Sequence, residues 1–305
     1  MAAGTASPQV NAGDKIMWRA SGLVPAQNYG IGTFSATGNF KVYGNAYSLY
    51  NPDKDNWGVG DDMKIIGSSK DYALYKLFAD NTYLVDAEKM YLPLTQNVNY
   101  PFAAMFSGCT NLVTGPDLAG LLEITSFRPW TNTYYFANMF EGCTSLTRTP
   151  KISLEDTGDH CCYKMFAGCT SLTTAPELDT TDLGGYCYAN MFERCTSLTT
   201  APSILPSTTL SGYCYDNMFY GCTSLTTAPE LPAATLKNYC YRNMFYGCTN
   251  LAQIKCLATD ISATSCTSNW VSNVASSGTF IKASSMSSWT TGVSGIPTNW
   301  SVQDA

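Results

Sequence analysis

Charge is scarce in this chain. Only 13% of its 305 residues are Asp, Glu, Lys or Arg, against about 25% in typical soluble proteins. Thr, Ser, Asn, Gly and 20 tyrosines fill the gap, which predicts a neutral, hydroxyl-rich surface. Lys and Arg number 17 against 23 for Asp and Glu, and no run of basic residues occurs. A nucleic-acid partner is therefore excluded, because phosphate backbones are held by clustered cations. Long hydrophobic runs are missing too. No stretch approaches the roughly 18 consecutive apolar residues that a membrane span needs. The opening MAAGTASPQVNAGD has neither the basic start nor the apolar run of a secretory leader. Histidine occurs once, at His160, and no Cys-x-x-Cys pair exists, so neither metal nor cofactor is expected.

What is present is repetition. The pattern aromatic-x-x-Met-Phe-x-Gly-Cys-Thr-x-Leu recurs with its Met at 105, 139, 165, 191, 218 and 244. Successive spacings are 34, 26, 26, 27 and 26 residues. A worn copy spans Leu77 to Leu84, with Asn81 in the Cys position. A period in the twenties means that one unit cannot bury its own apolar face and must stack on its neighbours.

The unit from Tyr186 to Leu210 predicts the local structure. Tyr188, Met191, Phe192 and Cys195 recur at helical spacing, so its first half reads as a short helix. Leu198-Thr199-Thr200-Ala201-Pro202 reads as a brief extended segment that stops where proline lacks an N–H. The expected fold is an α/β solenoid, an array of short helices and short parallel strands. Residues 1–72 carry no repeat but show β signals at Lys15 to Arg19 and Phe40 to Tyr43, and are read as a β-rich cap. The array occupies 73–256. Residues 257–305, with Trp270, Trp289 and Trp300, are read as an irregular C-terminal cap.

The run from Met218 to Leu231, nearly repeated from Met165 to Leu178, resembles the BspA-like class of leucine-rich repeats found in surface proteins of gut and oral bacteria. Arrays with this 26-residue unit, and with a segment similar to Gly292 to Trp300, occur in gut Bacteroidetes and their phages. The resemblance covers about residues 73 to 305. It implies recognition of proteins or cell-surface material and no reaction. The chain departs from the usual 23-residue unit by a longer, proline-bearing turn.

Eleven of the 13 cysteines fall into two columns. Cys109, Cys143, Cys169, Cys195, Cys222 and Cys248 each follow the Met by four, while Cys161, Cys187, Cys214, Cys240 and Cys266 recur at the same period. On a helix Cys187 and Cys195 would stand about 12 Å apart, beyond disulfide reach. Buried free thiols acting as small apolar fillers are expected. His160 replaces the Tyr of positions 134, 186, 213 and 239, and reads as one rung of a column. Gly30, Gly32 and Gly38 lack the strand-to-helix context of a dinucleotide loop. The loop Asp53 to Gly58 puts Trp57 where a calcium loop needs an oxygen ligand.

Two places are candidate binding sites. The 34-residue spacing contains an insertion around Phe127, Arg128 and Trp130, and solenoid insertions emerge as loops, often on the binding face; Trp and Arg are enriched at interface hot spots. Trp130 folding back onto its own repeat is the alternative. Tyr186, Tyr213 and Tyr239 form a second candidate, either as a platform for sugars or as rungs packed on one another. The Thr pairs at 173/174, 199/200 and 226/227 suggest a further alternative, an ice-binding solenoid. It is disfavoured because adjacent strand residues face opposite ways and the column is broken at Arg148 and Gln253. The expected function is non-enzymatic recognition of a host-surface protein or glycan. The expected location is a phage virion surface, as a tail or head fibre, with contacts to other virion proteins. A bacterial cell-surface adhesin is the alternative.

Overall fold

The structure, a computed structural model, describes residues 34, 36–45, 74–92, 99–116, 118, 134–152, 154, 156–287 and 289–305. The β signal at Lys15 to Arg19, the glycines Gly30 and Gly32, the loop Asp53 to Gly58 and the insertion around Phe127 lie outside the described residues.

Successive repeats stack in parallel. The strands are short: β1 Phe40–Lys41, β2 Gly44–Asn45, β3 Leu84–Asp86, β4 Met90–Tyr91, β5 Asp156–Thr157, β6 Asp182–Leu183, β7 Gln253–Cys256, β8 Thr279–Lys282 and β9 Ser301–Asp304. Each pairs in parallel with a strand of a neighbouring repeat: β1 with β3, β2 with β4, β5 with β6, and β7 with β8 with β9. Elsewhere the pairing shrinks to single residues, such as Thr174 with Thr200 and Ile204 with Glu230. Prolines such as Pro202 and Pro229 remove the N–H that a longer ladder would need. The parallel ladder also crosses residue 72 toward the N-terminus, because β1 and β2 lie there. At the other end β8 and β9 carry it past 256.

The first half of each unit differs from its expected form. Among the described residues there is no α-helix. In the repeat of Met139, the N–H groups of Phe136, Asn138, Phe140 and Gly142 donate to Cys161, Tyr163, Met165 and Ala167 of the next repeat, at 2.7 to 2.9 Å. The N–H groups between them turn inward: those of Ala137, Met139, Glu141 and Cys143 donate to the carbonyls three residues back. No N–H is left for the bond to the fourth residue back that defines an α-helix. Every fourth residue is left-handed instead, as at Tyr134, Asn138 and Gly142, with φ of 59°, 58° and 73°. Asn recurs at the second of these positions, in Asn138, Asn190, Asn217 and Asn243, and Gly at the third, in Gly142, Gly168, Gly221 and Gly247. These two residue types tolerate that backbone best. A turn repeating every four residues imitates a helical period of 3.6, which explains the helical spacing of Tyr188, Met191, Phe192 and Cys195. All four are buried, as a helix face would have been.

The core is a set of columns. Phe78, Phe106, Phe140, Phe166, Phe192, Phe219 and Phe245 stack ring on ring at 5.5 to 5.7 Å. Phe34 continues this column at 5.4 Å from Phe78. Beside it run the Met column and Leu112, Leu146, Leu172, Leu198, Leu225 and Leu251, all fully buried. Trp270 takes the Met place in the next unit and stacks on Trp289 at 5.6 Å, so the C-terminal segment continues the turn pattern through Ser265, Asn269 and Asn273.

Candidate functional site

The left-handed residues place their side chains along the outer side of the turn segments. Tyr100, Tyr134, His160, Tyr186, Tyr213 and Tyr239 form one unbroken column there, with ring centroids 4.3 to 4.7 Å apart and planes within 15° of parallel. All six are half-buried. Their spacing is set by the backbone: hydrogen-bonded repeats must lie about 4.8 Å apart, and flat rings at equal register fill that gap. Each inner ring spends both faces on its neighbours. Tyr186 and Tyr213 therefore offer edges and hydroxyls to a partner, and their faces are closed to stacked sugars. The Tyr213 hydroxyl is held above its ordinary pKa by loss of water between its neighbours, reinforced by Tyr186 and Tyr239 and opposed by Arg242.

His160 sits in this column 4.3 Å from Tyr134 and 4.7 Å from Tyr186. Desolvation between the rings lowers its pKa, and Asp159 works against that shift. Near the column's end, Arg242 makes a two-pronged contact with Asp216, Nε to Oδ1 at 3.0 Å and Nη2 to Oδ2 at 2.6 Å. Its guanidinium also lies 5.2 Å from the Tyr213 centroid and 5.1 Å from that of Tyr239. Asp216 is only 5% exposed at its side chain, and burial raises its pKa despite the guanidinium. Tyr220 and Tyr246 form a second outer pair at 4.9 Å.

At the other end the turn face is dented. Residue by residue, Ala104 stands where later units have Asn138, Lys164, Asn190, Asn217 and Asn243, the second left-handed position of each turn segment. Ala103 and Ala137 stand where later units have Tyr163, Asp216 and Arg242, a place that Ala189 also holds. The result is an open depression of about 430 Å³. Its rim includes Tyr75, Lys76, Tyr100 and Tyr134, with Ser107, Asn138 and Glu141 completing the lining. Asn138 donates to Glu141 at 2.7 Å, and Lys164 lies 3.6 Å from the same carboxylate.

Of the residues singled out in the sequence, Tyr186, Tyr213 and Tyr239 are adjacent, whereas Phe127, Arg128 and Trp130 lie outside the described residues. Sequence reading overlooked Tyr100, the Asp216–Arg242 pair and the dent. The Tyr-to-Asn spacing of four and its lapse at Ala104 were the available signals. The Thr pairs behave differently from a regular strand: Thr199 and Thr200 are both exposed, because pairing is confined to single residues and alternation fails. In this pair one hydroxyl is not free, since Thr199 donates to the Thr173 carbonyl at 3.1 Å. All 13 cysteines are buried free thiols. Among the described residues no three His, Cys, Asp or Glu side chains converge as a metal site requires, and no helix is long and apolar enough to cross a membrane.

No protein-family model matches the chain, and no curated protein matches it.

Proposed function

We propose that this chain is a leucine-rich-like solenoid of the BspA-like kind whose role is non-enzymatic recognition of a host-surface protein or glycan, as a tail or head fibre component of a phage virion. The observation that carries this reading is the column from Tyr100 to Tyr239. It lays one kind of surface along six successive turn segments, an extended display face and not an enclosed cleft. Half-buried aromatics held rigid by stacking lose little entropy on docking. Tyr, which recurs along the column, and Arg, present there as Arg242, are types enriched where binding energy concentrates.

The test is adsorption of the fluorescently labelled chain to intact gut Bacteroidetes cells. Saturable binding, displaced by unlabelled chain and lost on heating, is expected; binding that never saturates overturns recognition. Antibodies to the chain should decorate phage particles. Decoration of the envelope of uninfected cells, with bare particles, would replace the virion reading by the adhesin one.

A further inference from the structure

We infer that Tyr186, Tyr213 and Tyr239 are a site of oxidative cross-linking, where a one-electron oxidant of the kind a peroxidase supplies joins the stacked phenols of neighbouring repeats by a ring-to-ring carbon bond. This chemistry is independent of the recognition role proposed above. Tyr186 and Tyr213 stack with centroids 4.3 Å apart and planes 9° from parallel, and Tyr213 and Tyr239 stack at 4.5 Å and 12°. Backbone bonds hold the pairs in register: the Tyr186 N–H donates to the Gly212 carbonyl at 3.2 Å, and the Tyr213 N–H to the Asn238 carbonyl at 3.0 Å. The unpaired electron of a phenoxyl radical occupies ring p orbitals, including those on the carbons ortho to oxygen. In a face-to-face pair these orbitals point from one ring toward the next, so the new bond forms along the stacking direction. Two reactants held in that way couple as one molecule and not as two.

The step balances as follows. Each of two tyrosines gives one electron to the oxidant and its phenolic proton to water. The two neutral radicals join through one ortho carbon of each ring. The hydrogen on each joined carbon then moves, as a proton carried by water, to the oxygen of its own ring, and both rings become aromatic again. The net change is the loss of two electrons and two protons, with two equivalents of oxidant reduced.

Other groups compete poorly. Tyr188, Tyr215 and Tyr241 are fully buried and their rings stand 6.0 Å apart, without contact and without water to take a proton. Tyr186, Tyr213 and Tyr239 are only half-buried on the outer side of the turns. Cys187, Cys214 and Cys240 follow them in sequence but are buried, and burial holds their thiols well above the ordinary pKa. Thiol oxidation follows thiolate character and exposure, so sulfur does not intercept the oxidant. His160 fills the rung before Tyr186 and separates these three rings from Tyr134. Tyr100 with Tyr134, and Tyr220 with Tyr246, stack less closely, at 4.7 and 4.9 Å. A bond from Tyr186 to Tyr213 closes a loop of one repeat and restrains the unfolded chain as a disulfide does. The 13 free cysteines supply no such staple.

The experiment exposes the dilute full chain briefly to photo-oxidised ruthenium tris-bipyridyl with persulfate, a small one-electron oxidant. Dityrosine fluorescence is read on the monomer fraction, and mass spectrometry of its proteolytic peptides locates each cross-link by the loss of two hydrogens. Tyr186 to Tyr213 should be the main product and Tyr213 to Tyr239 the second, with the melting temperature raised by roughly 5–10 °C. Tyr213→Phe keeps the stack but sets the two remaining phenols two rungs apart, and should cut coupling of Tyr186 and Tyr239 at least tenfold. Tyr186→Phe should leave only the Tyr213 to Tyr239 product. His160→Tyr should add a product linking position 160 to Tyr134 or Tyr186. Absence of dityrosine from the monomer, coupling mapped mainly to other tyrosines, oxidation of cysteines in its place, or an equal yield in Tyr213→Phe each overturns the assignment.

Discussion

The thiol of Cys195 donates to the backbone carbonyl of Phe166, 3.1 Å away in the preceding repeat. The same bond joins Cys109 to Phe78, Cys143 to Phe106, Cys169 to Phe140, Cys222 to Phe192 and Cys248 to Phe219, at 3.0 to 3.1 Å. In the worn unit the Asn81 amide makes it instead, to the Phe34 carbonyl at 2.9 Å. The cysteine column is thus a small buried donor repeated once per unit, and asparagine can stand in for it.

Burial pushes the thiols of Cys109, Cys195, Cys240, Cys248 and Cys256 from an ordinary 9.0 up to about 12. For an acid raised on folding, stability is intact below the unfolded pKa and is lost as pH rises toward the folded one. Each such thiol then removes about 1.4 kcal/mol per pH unit. Urea unfolding should give a level stability up to pH 8 and a steep loss between pH 9 and 12. In parallel, alkylation at pH 8 should label none of the 13 cysteines in the native chain and all of them after denaturation. A flat stability curve through pH 11 would contradict the desolvated column.

Arg194 occupies, at φ 58°, the left-handed position that Gly142, Gly168, Gly221 and Gly247 fill elsewhere. Its ion pair with Glu193, at 3.7 Å on an exposed side chain, contributes little. Arg194→Gly should therefore stabilise the chain by up to about 1 kcal/mol, because a non-glycine residue is strained there. Gly168→Ala should cost a similar amount. Chemical denaturation measures both, and a destabilising Arg194→Gly would assign Arg194 a contact that outweighs its strain.

Asp216 and Arg242 form a pair whose burial the carboxylate tolerates only because the guanidinium is present. Arg242→Ala should cost about 3 kcal/mol by stranding a buried charge. Asp216→Ala should cost less, since Arg242 can turn toward solvent. The double variant should recover most of the loss, because Ala137 and Ala189 hold the same place in other units. Additive losses in this cycle would show that the pair is not coupled.

His160 should titrate below 6.5 in its imidazole NMR signals, since desolvation between Tyr134 and Tyr186 disfavours the cation. A base depressed on folding contributes stability that is present above its unfolded pKa and lost as pH falls through the folded one. His160→Tyr, which makes the column uniform, should remove that acid-side loss. A midpoint above 6.5 would mean that Asp159 outweighs the rings.

What the sequence determined by itself was the period, and with it the register. Once Met-Phe and Cys recur every 26 residues, apolar burial leaves one way to align neighbours, so the Phe, Cys and Tyr columns were legible before any coordinate. His160 could be placed on its rung for the same reason. Tertiary structure decided the local backbone. Helix and four-residue turn bury the same side chains of Tyr188, Met191, Phe192 and Cys195, so hydrophobic spacing cannot separate them. What separates them is where the N–H groups go, and half of those bonds cross to residues about 26 positions away, such as Phe140 to Met165. The same long-range contacts settle which tyrosine faces are covered and turn two adjacent alanines into a depression. A residue type records its own volume; the space it leaves open exists only once the neighbouring repeats are stacked against it.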